Sequence, residues 1–228
     1  MYTNDPTIMA WELANEPRGI NNVEAFHQWI ATTSSLIKSL DKNHMVTIGS
    51  EGYTSSPEYA GTDFPRMHTP ASIDYTTAHI WIQNWNWYDP QQHDKTYPEA
   101  KAKMVEYLLR HTNDSKKLGK PFVLEEFGIM KDSGSFDPKA STVNRDAYYR
   151  EVFEQVYQLA LMGEACGVNF WAFAGEGRPR EPETWWRKGD DFLGDPPHEP
   201  QGWYSVYDFD KSTLDLIKEY GEKLEKIE

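Results

Sequence analysis

Cysteine is nearly absent: Cys166 is the only one in 228 residues, so no disulfide can form within the chain. Its small and apolar surroundings, residues 164–168, predict a buried, unreactive thiol. Basic residues are few, 23 Lys and Arg against 36 Asp and Glu, for a net charge of −13. No stretch resembles the basic stripe that a nucleic-acid partner needs, so none is expected. No apolar run reaches the roughly 20 residues that a membrane-spanning helix needs. The opening residues 1–6, Met-Tyr-Thr-Asn-Asp-Pro, lack the basic start and apolar stretch of a secretory leader. The seven histidines are scattered, with neither a His-Glu-x-x-His motif nor a cysteine cluster to hold a metal. There is no phosphate-binding loop, no Gly-x-Gly-x-x-Gly and no Gly-x-Ser-x-Gly elbow, so nucleotide binding and serine-esterase chemistry are not indicated. Neither a metal nor a cofactor is expected.

Aromatic residues, in contrast, are plentiful: nine Trp, thirteen Tyr and ten Phe. Several stand among amides and acids, as in Trp85-Asn86-Trp87-Tyr88-Asp89, a setting for stacking on flat ligands such as sugar rings. Short apolar runs at residues 7–14, 45–49, 75–80, 121–127 and 168–173 alternate with stretches of helical period. Val23, Phe26, Ile30, Thr33, Ile37 and Leu40 make one stripe. Ala100, Met104, Leu108 and His111 make a second, and Tyr149, Val152, Val156, Leu159 and Met162 a third. A last helix opens at Ser212 with a capping-box-like start and is expected to bury Leu214, Ile217, Tyr220 and Leu224. The Ser-, Pro- and Gly-rich stretch after Tyr53 takes no element. With no linker and no repeat, residues 1–228 read as a single catalytic domain of α/β class, a parallel sheet covered by helices.

Such sheets bind ligands at the carboxyl ends of their strands. The chemically interesting residues fall there: Asn15-Glu16, Glu51, His79 with Trp81, Glu126 and Trp171. Glycoside hydrolysis needs one carboxyl as acid and another as nucleophile or base. Glu16 sits between Asn15 and Pro17, whose fixed φ stiffens the turn. In the Glu125-Glu126 pair, strand alternation sends neighbours to opposite sides. Glu126, next to Phe127-Gly128 where the strand ends, is assigned to the interior and Glu125 to the helix layer. Glu12 reads as a structural carboxylate. His79 is either a satisfied core histidine or a partner of the sugar or a catalytic carboxylate.

The stretches Trp-Glu-Leu-Ala-Asn-Glu-Pro-Arg (residues 11–18), His-Ile-Trp (79–81) and Lys-Pro-Phe-Val-Leu-Glu-Glu-Phe-Gly (120–128) resemble glycoside hydrolase family 5, most of all its β-mannanase branch. The resemblance implies a (β/α)8 TIM-barrel fold and a retaining endo-β-1,4-mannanase. Glu16 would be the acid/base at the end of the fourth strand and Glu126 the nucleophile at the end of the seventh. Asn15 would contact the sugar at the reacting subsite and Arg18 the leaving-group side. His79 would support the site, and Trp171 would be a stacking platform. Trp81, Trp85 and Trp87 would line neighbouring subsites. The family often has Tyr where Trp81 stands, and an indole donates but never accepts a hydrogen bond. The resemblance also implies an incomplete barrel, strands four to eight, because a whole one takes about 250 residues. Self-association, or complementation by an amino-terminal barrel segment, is then expected. Secretion or a cell-surface or periplasmic location follows by family. The alternatives are an endo-β-1,4-glucanase of the same family and a glycan-binding fragment without turnover.

Overall fold

The structure, a computed structural model, describes residues 2–53 and 62–227. The stretch after Tyr53 that takes no element from sequence lies at 54–61, outside the described residues. The chain forms two compact units. The first holds residues 1–79, 107–125 and 162–167, and the second residues 80–106, 126–161 and 168–228. None of the described helices is long and apolar enough to cross a membrane.

In the first unit, β1 (Ala10–Glu12) pairs in parallel with β2 (Met45–Thr47), with Trp11 opposite Val46. They are joined by helix α1 (Val23–Leu40), whose amino end is capped by Asn22, its side chain accepting from the Ala25 N–H at 3.0 Å. The inward stripe of α1 carries Phe26 and Ile30, which pack with Val46, Ile48, Met67 and Ile73 into one core cluster. Leu40, expected on that stripe, is 72% exposed, because the helix ends there and the chain turns away at Asp41. A short helix α2 (Phe64–His68) leads to β3 (Thr76–Ile80).

Side chains complete the link between β2 and the region of β3. The Val46 N–H donates to Asp74 Oδ2 at 2.6 Å, Thr47 Oγ1 donates to the Tyr75 carbonyl at 3.0 Å, and the Ser50 N–H donates to Thr77 Oγ1 at 2.8 Å. Helix α3 (His93–Leu118) precedes β4 (Phe122–Phe127), and β5 (Ala165–Val168) follows on the far side of β4, giving the order β3-β4-β5. The last residues of these strands, Ile80, Glu126–Phe127 and Val168, belong to the second unit. Cys166 is exposed, not buried as expected: on β5 it alternates with buried Ala165 and faces the other way.

In the second unit, helix α4 (Val143–Leu161) packs on helix α5 (Lys211–Leu224), and β6 (Phe173–Gly175) pairs in parallel with β7 (Val206–Tyr207). Two expectations need correction. Residues 169–172 are not strand, since their backbone groups are used elsewhere: Trp171 N–H donates to the Phe127 carbonyl and Ala172 N–H to that of Tyr204. On α5 the buried residues are Thr213, Leu216 and Tyr220, while Leu214, Ile217 and Leu224 are half-buried. No side-chain cap forms at its start. The Asp210 carboxylate instead accepts from fully buried Arg145 at 2.7 Å and from Lys131. Those two cations hold Asp210 below the usual carboxylate range against the desolvation that would raise it.

Candidate active site

Beyond β1 the chain stays against β2: the N–H groups of Leu13, Ala14 and Glu16 donate to the carbonyls of Thr47, Ile48 and Gly49 at 3.1, 3.2 and 2.8 Å. Glu16 takes a left-handed φ of 45°. A non-glycine residue there, directly before Pro17, costs on the order of 1–3 kcal/mol, which the flanking bonds must offset. Gly49 also has a positive φ, and a Cβ on it would lie 2.2 Å from the Ala14 carbonyl oxygen, so only glycine permits this approach. The turn delivers the Glu16 carboxylate to His79, whose Nδ1 is 2.7 Å from Glu16 Oε1. His79 is buried, and its backbone N–H donates to the Glu51 carbonyl at 3.2 Å. The sequence left its role open; the first unit places it on a carboxylate.

Arg18 forms a two-pronged pair with Glu51, Nε to Oε1 at 2.7 Å and Nη2 to Oε2 at 2.9 Å, and its Nη2 lies 3.8 Å from Glu16 Oε2. Desolvation pushes the buried Glu51 carboxyl above its ordinary value, and the Arg18 bond pulls back against it. Tyr107 Oη donates to the Glu51 carbonyl at 2.7 Å. Asn15 is exposed beside these groups in sequence. Glu125, whose partner the sequence left open, is largely buried, with its Oε2 3.7 Å from His79 Nε2. At that length the contact is electrostatic, not a hydrogen bond.

In the second unit, Glu126 is buried at the carboxyl end of β4. Phe127 next to it anchors the strand end on α4, with ring centroids 4.8 Å from Tyr149 and 5.3 Å from Phe153. Gly128 marks a close approach: a Cβ there would lie 2.4 Å from the Trp171 carbonyl oxygen and 3.4 Å from Trp81 Cζ3. Trp171 is half-buried and tied to the strand end by its N–H bond to Phe127 at 2.8 Å. Two predicted tryptophans therefore flank the strand end that carries Glu126. Trp81 meets Tyr204 at 4.9 Å, and Tyr204 stacks on Trp203 at 5.1 Å with 12° between planes. Tyr204 Oη donates to Asn84 Oδ1. The N–H groups of Gly202 and Tyr204 donate to buried Asp195. Trp85 and Trp87 form a separate edge-to-face pair at 4.9 Å. Trp186 stacks on Phe192 at 5.4 Å, and Trp185 is exposed.

Tyr204, Trp203 and the Arg18–Glu51 pairing were not assigned from the sequence. The signal available was the aromatic pair after Gly202 and an acid just past β2, neither tied to a periodicity.

A carboxylate gripped by a buried histidine and a second carboxylate at a strand end flanked by tryptophans suit hydrolysis of a glycosidic bond. The family model described as glycoside hydrolase family 5, β-mannosidase-like, matches residues 1–228. The chain belongs to this family. Its fold is of the TIM-barrel type of the family 5 enzymes, as the sequence implies. It is 34% identical over 193 residues to mannan endo-1,4-beta-mannosidase 2 of Arabidopsis thaliana, covering 77% of this chain and 42% of that protein. It is 33% identical over 222 residues to mannan endo-1,4-beta-mannosidase 5 of the same plant, covering 90% and 47%. Among solved structures, a family 5 mannosidase from Rhizomucor miehei superposes with a TM-score of 0.85 at 38% identity, covering 99% of this chain and 53% of that one. The endo-β-1,4-mannanase of Thermotoga petrophila gives 0.71 at 29%, covering 99% and 46%. The chain thus spans about half the length of the relatives it matches.

Proposed function

We propose that this chain supplies the two catalytic glutamates of a retaining β-mannan hydrolase, an endo-β-1,4-mannanase. The observation that carries the reading is the Asn15-Glu16-Pro17 turn, in a chain matched to family 5 from end to end, presenting a carboxylate to a buried histidine at 2.7 Å. In this mechanism the Glu126 carboxylate attacks the anomeric carbon as the bond to the leaving oxygen breaks, and protonated Glu16 gives its proton to that oxygen. A glycosyl ester on Glu126 results. Glu16, now a carboxylate, takes a proton from water. The hydroxide oxygen bonds to the anomeric carbon and Glu126 leaves, with net retention.

His79 is the positioning residue that fixes the Glu16 carboxylate. Asn15 binds the sugar at the reacting position. Trp171 stacks beneath that sugar, supported by its place beside Gly128, and Trp81 extends the platform through Tyr204. Trp85 and Trp87 line a more distant position. Arg18, held by Glu51, faces the leaving group.

The similarity to the Rhizomucor mannosidase favours a second reading, release of single mannose units from chain ends. Viscosity and product profile on β-mannan separate the two. An endo-enzyme drops viscosity early and yields oligosaccharides, whereas an exo-enzyme releases mannose while viscosity persists. Carboxymethylcellulose in the same panel tests the glucanase reading. No reducing-sugar release from any of these substrates by a protein spanning the relatives' full length would overturn the proposal. Secretion belongs to the same proposal, since the substrate is a polymer too large to enter a cell. So does association of this chain with a second copy, or with a segment supplying the length of the relatives it does not span. Sedimentation of the chain alone and with that segment tests this, and a lone, fully active monomer would contradict it.

A further inference from the structure

Glu125 Oε2 is a buried carboxylate oxygen without a hydrogen-bond donor, on a side chain only 9% exposed. A carboxylate taken out of water needs hydrogen bonds or an opposite charge to compensate it. What faces it is the ring of buried His79, with Nε2 3.7 Å away. The other ring nitrogen, Nδ1, is 2.7 Å from Glu16 Oε1. All three residues belong to the first unit, and the imidazole stands between two carboxylates, one on each nitrogen. We propose that Glu125 is a positioning residue that serves as the counter-charge of His79, keeping it an imidazolium that donates from Nδ1 to Glu16. This deepens the proposed function and rests on its assignment of Glu16 as the acid/base.

Three arguments support the charge state. First, a neutral imidazole carries one N–H and leaves a bare lone pair on its other nitrogen. Here either bare nitrogen would face a carboxylate oxygen, whereas the imidazolium presents an N–H to both. Second, a protonated Glu125 would donate to Nε2, which needs a closer approach than 3.7 Å. That spacing suits opposite charges. Third, the neighbours do not take the place of either partner. The Glu51 carboxylate is held by Arg18 through bonds of 2.7 and 2.9 Å, and only its backbone carbonyl meets His79 N–H and Tyr107 Oη. Tyr75, which also feels Glu125, brings no charge, since burial and then that carboxylate push its hydroxyl well above the ordinary range.

The counter-charge has a consequence for Glu16. An uncompensated imidazolium at 2.7 Å would hold Glu16 ionised and make it a poor proton donor. With Glu125 on the far nitrogen the ring and its partner sum to zero. His79 can then occupy Glu16 Oε1 while Oε2 carries the proton that goes to the leaving oxygen. His79 keeps both of its own protons throughout, and only the Oε2 proton moves.

The test is ring-nitrogen NMR on isotopically labelled histidine in a protein spanning the relatives' full length, with the His79 signals identified by their loss in His79→Gln. At neutral pH both nitrogens of His79 should be protonated in the unaltered protein and in Glu125→Asp, which keeps the charge. The ring should be neutral in Glu125→Gln, which keeps the shape alone. On mannan, Glu125→Gln should lose about 10-fold in kcat, a part of the roughly 10²–10⁴ that general acid–base catalysis supplies, with KM little changed and partial recovery in Glu125→Asp. A neutral His79 in the unaltered protein overturns the proposal, and that reading stands even if Glu125→Gln folds poorly. An imidazolium that persists in Glu125→Gln, or an unchanged kcat there, overturns it as well. If the unaltered protein cleaves no mannan, the proposed function fails separately, and the NMR signals still decide the counter-charge.

Discussion

Acidification should destabilise the first unit through two buried histidines that the fold holds neutral. His68 on α2 donates from Nδ1 to the Phe64 carbonyl at 2.8 Å, and its Nε2 accepts from the Thr77 N–H at 3.3 Å. His111 on α3 donates from Nδ1 to the Tyr107 carbonyl at 2.7 Å, and its Nε2 accepts from the Tyr53 N–H at 2.8 Å. A second ring proton would meet a backbone N–H in each case. Burial pushes His68 down to about 4 and His111 to about 3, from an ordinary 6.5. Between pH 6.5 and those values the unfolded chain binds the extra protons, so stability falls as pH falls. Each histidine contributes about 1.4 kcal/mol per pH unit, or about 4 kcal/mol for the pair at pH 5. That is a large share of the roughly 5–15 kcal/mol that stabilises a domain. Glu51 opposes this in part, because its raised carboxyl is protonated in the fold before it is in the unfolded chain. His44, raised chiefly by its bond to Asp41, adds stability that is lost only as pH rises above 6.5. Urea unfolding at pH 7, 6 and 5 should show a falling midpoint. His111→Gln, whose amide can keep one donor and one acceptor but cannot take up the charge, should remove about half of the slope. A flat midpoint over this range, or a full slope in His111→Gln, would refute the reasoning.

In a protein spanning the relatives' full length, Glu16→Gln and Glu126→Gln should each lower the rate on mannan by several orders of magnitude with little change in Tm. Glu125→Gln should act more weakly, through His79, which the rate and Tm measured together will show. Gly49→Ala should destabilise by about 2–4 kcal/mol in denaturant titration, since the methyl meets the Ala14 carbonyl and φ is +80°. Glu51→Ala should cost about 1–3 kcal/mol and raise KM by freeing Arg18; unchanged KM and stability would deny the clamp.

Much of the frame was legible in the sequence because apolar period and strand length are local properties. The α1 stripe begins and ends where the helix does, at Val23 and Leu40, and the run at residues 121–127 contains β4. Glu16 and His79 were singled out by their strand-end positions, and they meet. What was not legible depends on tertiary competition. Residues 169–172 are as apolar as a strand, yet Phe127 and Tyr204 take their backbone groups. The start of α5 reads as a capping box, but Asp210 is claimed by Arg145. The partner of Glu125, His79, was not legible either, because it stands 46 residues away on another strand. Glu51 was noted just past the second run, but its role was not legible, because its partner Arg18 lies 33 residues away.

The proposed mechanism stands or falls with Glu126 as the nucleophile. Incubation of a protein spanning the relatives' full length with a 2-deoxy-2-fluoro-mannoside bearing a good leaving group, followed by peptide mapping, tests it most directly. One stable glycosyl ester is expected on the peptide carrying residues 121–128, placed on Glu126 by fragmentation and absent in Glu126→Gln. A label on Glu125, or inverted product with no covalent adduct, would contradict it.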